Sequence, residues 1–190
     1  MAPEVQRYID AAWLLAGIVW LVCAFKSKPT ERNQSPSSRV AQTVFFVIAV
    51  ILLTNWKLHS TLLGIRFLAD TAAAAKLGVG LTFAGVAFAI WARLHIGRNW
   101  SGTVTIKTGH TLVRTGPYSI VRHPIYTGFL TATLGTAIAI GEIRGLFAFI
   151  AAFIGVKLKA TLEEQFMTER FGEEYVQYEC EVKGLIPFVW

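Results

Sequence analysis

Five apolar stretches constrain what this chain can fold into more than anything else in it. A helix that crosses a bilayer needs about 20 mostly apolar residues. Tyr8 to Phe25, Val40 to Lys57, Ala72 to Ala92 and Ile125 to Gly141 read as such spans. Gly145 to Ala160 is a fifth, whose charge-free part ends at Val156. Backbone in hydrocarbon must satisfy its own hydrogen bonds, and long apolar runs of this kind do so as helices. The expected fold class is all-α: an integral membrane protein of about five transmembrane helices, with a polar loop and C-terminal helices on one side. The composition agrees, because only 16% of the 190 residues are charged and mean hydropathy is +0.49, against about 25% charge in soluble chains.

The charges then set the sides. The segments after spans one, three and five carry Lys26, Lys28, Arg32 and Arg39; Arg93, Arg98, Lys107, Arg114 and Arg122; and Lys157, Lys159, Arg170 and Lys183. The other side holds Arg7, Lys57, Arg66, Lys76 and Arg144. Positive residues stay cytoplasmic, so the N-terminus is expected outside and the C-terminus and the longest polar segments in the cytoplasm. This distribution also explains the net charge of +6 without nucleic acid, for which no basic-aromatic pattern is present. The N-terminus lacks a basic stretch, so the first span is expected to be retained. Cys23 and Cys180 have no metal-ligand spacing and read as reduced thiols. Leu58 to Ala69 is too short to cross and reads as interfacial. The loop "KSKPTERNQSPSSR" reads as a solvated linker. Gly78, Gly80 and Gly85 read as small-residue helix packing. Two units are expected: spans one to three in 1–92, and a loop, helical hairpin and C-terminal helices in 93–190.

The polar segment "NWSGTVTIKTGHTLVRTGPYSIVRHPIYTG" is unusually dense in turn and rigid residues for the mouth of a span. Thr103 to Val113 reads as a short hairpin or extended loop. Gly116-Pro117 is a turn signal. Pro124 suits the first turn of a helix, which puts His123 at its N-cap. The free N–H groups there favour an anionic ligand. A plainer account has Arg122 reaching for headgroups, His123 capping and the tyrosines forming an aromatic belt. Further on, Lys159 and Glu163 are four residues apart and share a helix face. An ionisable pair so close to the bilayer points to a polar cavity. Glu169, Glu173, Glu174, Glu179 and Glu181 read as a solvated face, and Tyr175 and Tyr178 as packing.

"GHTLVRTGPYSIVRHPIYTG", "LEEQF" and "FGEEYVQYECEVKGLIPF", in that order, resemble the isoprenylcysteine carboxyl methyltransferase family and its phospholipid N-methyltransferase relatives. The resemblance covers about half the chain, from Leu94 to Phe188. It implies a membrane-embedded helical fold that uses S-adenosylmethionine, which is consistent with the absence of any GxGxxG after a strand. It also implies cofactor contacts from His110, Thr111, Leu112, Val113, Tyr118, His123, Pro124, Ile125, Tyr126 and Glu163. Lys159 stands where the prenylcysteine enzymes carry an Arg that contacts the substrate carboxylate; it keeps the charge and loses the bidentate fork. The implied reaction is methyl transfer to a lipophilic acceptor drawn from the lipid bilayer, either a prenylcysteine-like carboxylate or a lipid amine. Glu163 and His123 are the catalytic candidates, and an amine or thiol acceptor would need one of them or Glu164 as a base. Two other classes stay open: an NADPH-dependent sterol-type reductase and a non-enzymatic membrane interaction protein.

Overall fold

A computed structural model describes residues 2–24, 30–33, 35–100, 105–107 and 111–187. Helices α1 (Pro3–Ala24), α2 (Pro36–Thr54), α3 (Ala72–Ile96), α4 (Pro124–Ile140), α5 (Ile143–Phe171) and α6 (Glu173–Glu181) make up most of it. By length and composition, α1, α2, α3 and α5 suffice to cross a membrane, while α4 is a shorter apolar helix of 17 residues, about 25 Å long. The five expected spans thus correspond to α1–α5. α1 starts at Pro3, ahead of Tyr8, and includes Asp10, to which Gln6 Nε2 donates at 2.7 Å. Leu14, Ile18, Leu21, Val44, Val47 and Ile51 are exposed along α1 and α2, as a lipid-facing surface requires.

The departure from helix is a two-stranded antiparallel ribbon. Strand β1 (Thr30–Asn33) pairs with β2 (Thr105–Lys107), Arg32 standing opposite Ile106. The loop after α1, expected to be a free linker, therefore joins the polar segment, and β2 takes its partner from that loop and not from a local hairpin. A strand without close sequence partners leaves no turn signal to read.

The α3–α4 contact is built on glycine. A methyl group on Gly85 would fall 2.5 Å from the Gly128 carbonyl oxygen, and one on Gly78 would fall 2.7 Å from that of Gly135. Two antiparallel helices thus meet backbone to backbone at two points, each seven residues apart on its own helix. Gly80, expected in the same contact, faces open space. Beside this pair, Trp13 of α1 stacks on Phe129 of α4, and Trp20 tilts onto the same ring at 4.8 Å.

Residues 55–71 form two 3₁₀ turns and do not cross. They dock on the α4–α5 turn, where Gly141 adopts φ +66° and its carbonyl accepts from Phe67 N–H at 3.0 Å. Glu142, 3% exposed, is held there by Arg144 at 2.6 Å and His59 at 2.8 Å. At the opposite face α5 runs on. A hydrocarbon core about 30 Å thick uses about 20 helical residues, so Glu163 and Glu164 emerge near its polar edge. Gly172, at φ +55°, then ends the helix and lets α6 follow.

Candidate active site

His123 is the N-cap of α4 and Pro124 its first residue, but the His123 side chain makes no capping bond. Its ring turns toward α5. Nε2 lies 3.0 Å from Glu164 Oε1, and Nδ1 lies 3.6 Å from Glu163 Oε2. Tyr126, one turn on, stacks on that ring and donates its hydroxyl to Glu163 Oε1 at 2.5 Å. Lys159 Nζ sits 5.5 Å from the Tyr126 ring centre. The start of α4 and the end of α5 are thus joined by a polar cluster at the edge of the apolar core.

Arg122 does not reach for headgroups. Its guanidinium donates to Glu164 at 2.6 Å, to the Val182 carbonyl at 2.6 Å and to the Glu179 carbonyl at 3.2 Å. Glu179 also approaches it at 3.6 Å, and Glu181 pairs with Arg114. These two glutamates, expected on a solvated face, instead fasten α6 to the loop. The backbone adds to the seam: Arg122 N–H donates to Lys183 O at 2.8 Å and His123 N–H to Gly184 O at 3.0 Å. The Tyr178 hydroxyl donates to the Tyr118 carbonyl at 2.5 Å. Burial of Tyr178 pushes its hydroxyl pKa up to about 12, so it remains a donor.

The seam closes a cleft. Thr111, Leu112, Val113, Tyr118, His123, Pro124, Ile125, Tyr126 and Glu163 all line it. Nine of the ten residues the resemblance singled out are therefore gathered around one opening; the tenth, His110, lies outside the described residues. Asn99, Trp100, Met167, Tyr175 and Tyr178 line it too. Asn99 and Trp100 carried no assignment from sequence, and Tyr175 and Tyr178 were read as packing alone. They do pack, as a T-shaped pair at 5.9 Å.

A second, larger cavity of about 610 Å³ lies between α1, α2, α4 and α5. It is mostly apolar, lined by Trp13, Phe46, Leu53, Phe129 and Val156 among others. Trp100, Ile125 and Tyr126 belong to both cavities, and Lys159 lines the apolar one. Trp100 is held at this junction by Arg93, whose guanidinium lies 4.2 Å from the ring centre and donates to the Cys23 carbonyl at 2.8 Å.

The charge state of His123 follows from its neighbours. Burial opposes its protonated form, but hydrogen bonds to Glu163 and Glu164 and their negative charges outweigh it, and the pKa is raised above 6.5. A raised folded-state pKa stabilises the fold fully below the unfolded value and loses that contribution as pH rises through the folded value. The stability gap between wild type and His123→Gln should therefore be widest below pH 6.5 and shrink on the alkaline side. Thermal unfolding in detergent at several pH values measures this; a gap that widens with pH would contradict it.

The family model described as phospholipid methyltransferase matches residues 73–174. Protein-S-isoprenylcysteine O-methyltransferase B of Arabidopsis thaliana is 32% identical over 96 residues, 49% of this chain and 49% of that one. The Saccharomyces cerevisiae protein-S-isoprenylcysteine O-methyltransferase is 35% identical over 98 residues, 49% of this chain and 40% of its own length. The chain spans about half the length, or less, of the curated relatives it matches. Among solved structures, the eukaryotic intramembrane Ras methyltransferase ICMT superposes with a TM-score of 0.57 at 26% identity, covering 84% of this chain and 55% of that one. With its family model spanning more than half of the sequence, this multi-pass membrane protein belongs to the phospholipid methyltransferase family, and its named relatives are isoprenylcysteine O-methyltransferases.

Proposed function

We propose that the protein transfers a methyl group from S-adenosylmethionine to a carboxylate on a lipophilic acceptor. The observation that carries this reading is the position of Lys159: a cation on the wall of a large apolar cavity, at the end where that cavity shares Trp100, Ile125 and Tyr126 with the polar cleft.

The cleft suits the cofactor by the chemistry of its donors. Glu163 offers negative charge, and Trp100, Tyr118 and Tyr126 offer aromatic faces that attract cations. Thr111, Leu112 and Val113 would hold the nucleoside end through backbone groups, with His110 beside them in sequence; His123, Pro124, Ile125, Tyr126 and Glu163 would hold the amino-acid and sulfonium end. When bound, the cofactor supplies a methyl carbon activated by the adjoining sulfonium. The residues of this chain then have three tasks. Lys159 attracts and orients an anionic headgroup. Trp100 and Ile125 keep water from the junction. Glu163, fixed by Tyr126 and His123, keeps the cleft negative and aligned, which is where most of the acceleration in such a displacement arises. Proton removal is not among the tasks. Both ring nitrogens of His123 are turned to Glu164 and Glu163, not to an acceptor, and a carboxylate acceptor attacks without losing a proton. A lipid ammonium would meet Lys159 as a like charge.

We assign this chemistry to residues 93–190, with 1–92 supplying the lipid-facing wall, and place the cleft on the cytoplasmic side by the distribution of Lys and Arg. The relatives named above are all methyltransferases, which leaves the reductase and non-enzymatic readings without support. Purified protein in detergent, given methyl-labelled S-adenosylmethionine and matched prenylcysteine, phosphatidylethanolamine and thiol acceptors, should label the first as a base-labile ester. Lys159→Gln should raise the KM for that acceptor at least about tenfold, as loss of a charge-assisted contact does, and Lys159→Arg should restore it. Labelling of the amine alone would overturn the reading.

A further inference from the structure

The strongest unexplained feature of the cleft is Asn99. This residue ends the 3₁₀ turn Gly97–Asn99 that follows α3. Its side-chain amide nitrogen donates to the Thr111 hydroxyl at 3.0 Å and lies 3.5 Å from the Thr111 carbonyl oxygen. A carbonyl oxygen accepts only, so this contact fixes which end of the Asn99 amide faces Thr111. The other end, Oδ1, is shut off from bulk water and has no hydrogen-bond partner among the described residues. Asn99 also lines the cleft, as do its chain neighbour Trp100 and Tyr118 and Glu163. A buried carbonyl-type acceptor without a donor is costly, and native proteins seldom leave one without a reason.

We propose that Asn99 is a specificity residue of the cofactor cleft, and that its Oδ1 accepts a hydrogen bond from an N–H or O–H donor of the adenosine part of the ligand. The proposal rests on the cofactor reading above. Thr111 opens the described part of the segment assigned to the nucleoside end, and Asn99 is tied to it. The donors available there are the adenine amine and the two ribose hydroxyls. A site that presents a desolvated acceptor discriminates strongly against analogues that lack the matching donor. The same amide then has two functions: Nδ2 holds the Thr111 segment against the end of α3, and Oδ1 reads the ligand.

The test is binding, independent of turnover. S-adenosylhomocysteine is titrated calorimetrically into the full chain in detergent, alongside its 6-oxo, 2′-deoxy and 3′-deoxy analogues. Wild type should bind the parent and should lose about 10- to 100-fold for one analogue. Asn99→Leu should bind the parent as weakly as wild type binds that analogue, and should no longer tell the two apart. Thr111→Val, which removes the tether and leaves the acceptor, should keep the discrimination. Where Asn99→Leu does not elute as a single species, Asn99→Asp decides, because it retains an oxygen at the position and should still discriminate. Equal analogue penalties in wild type and Asn99→Leu, or lost discrimination in Asn99→Asp, would overturn the proposal and leave the cofactor reading standing. No binding of S-adenosylhomocysteine by wild type would remove that reading and this inference together.

Discussion

Arg122→Met should cost about 3–5 kcal/mol of stability and remove ligand binding with it. Arg122 is 12% exposed and its partner Glu164 24%, so the pair is mostly out of water. Removing one member of a mostly buried pair leaves Glu164 with His123, 3.0 Å away, as its remaining charged neighbour, which is worse than losing a surface contact. Here the loss is larger than one ion pair. Two backbone carbonyls, of Glu179 and Val182, also depend on this guanidinium. The segment after α6 would then be held to the mouth of α4 chiefly by backbone hydrogen bonds and by Thr127, whose hydroxyl donates to Leu185 O at 2.7 Å. His123 would lose the neighbour that fixes Glu164, and the cleft would lose its back wall. Arg114→Met is the control. Its pair with Glu181 is 31% and 48% exposed and should be worth less than about 1 kcal/mol. Thermal denaturation of both variants in detergent separates the cases; equal midpoints would show that the Arg122 seam holds nothing together.

The contrast between these two arginines marks how far the sequence could be read. The spans were legible because membrane helices announce themselves by length and hydropathy within one continuous stretch. Lys159 and Glu163 were legible as neighbours because helical periodicity is local. The cleft residues were legible through the order of short motifs, and the fold explains that order: a loop, the start of α4 and the end of α5 must meet. Arg122 was read as an interfacial cation because nothing within a few residues could pair with it. Its partner is 42 positions away, and which glutamate of "LEEQF" faces which basic residue depends on how α5 rotates against α4. Asn99 and Trp100 escaped notice for the same reason. An asparagine beside a tryptophan carries no periodic signal, and its meaning appears only when Thr111 is folded against it. The β1–β2 ribbon joins two segments that both looked like independent loops.

The glycines of α4 were overlooked too, and they carry the second large effect. Gly128→Leu should destabilise the protein by about 3 kcal/mol, at the upper end of ordinary overpacking, because its side chain would enter a backbone contact and not a deformable core. A Cβ there would lie 2.6 Å from both the Ala89 nitrogen and the Gly85 carbonyl oxygen, so α3 and α4 must separate. Gly80→Leu faces open space and should be neutral or slightly stabilising, since leucine exceeds glycine in helix propensity. The site should register the difference. Gly128 lies one turn beyond Pro124, and the α3 end opposite it carries Arg93, which seats Trp100, and runs into the turn that holds Asn99. Parting the helices at this crossing moves Trp100 and Asn99 away from Tyr126 and His123. Gly135→Leu forces the same helices apart at the other crossing, where the added Cβ would meet the Thr82 nitrogen at 2.5 Å, two turns farther from the cleft. Both variants should lower the unfolding midpoint, but Gly128→Leu should weaken S-adenosylhomocysteine binding at least about tenfold more than Gly135→Leu does. Equal binding losses would mean that the crossing supports the fold without setting the geometry of the cleft.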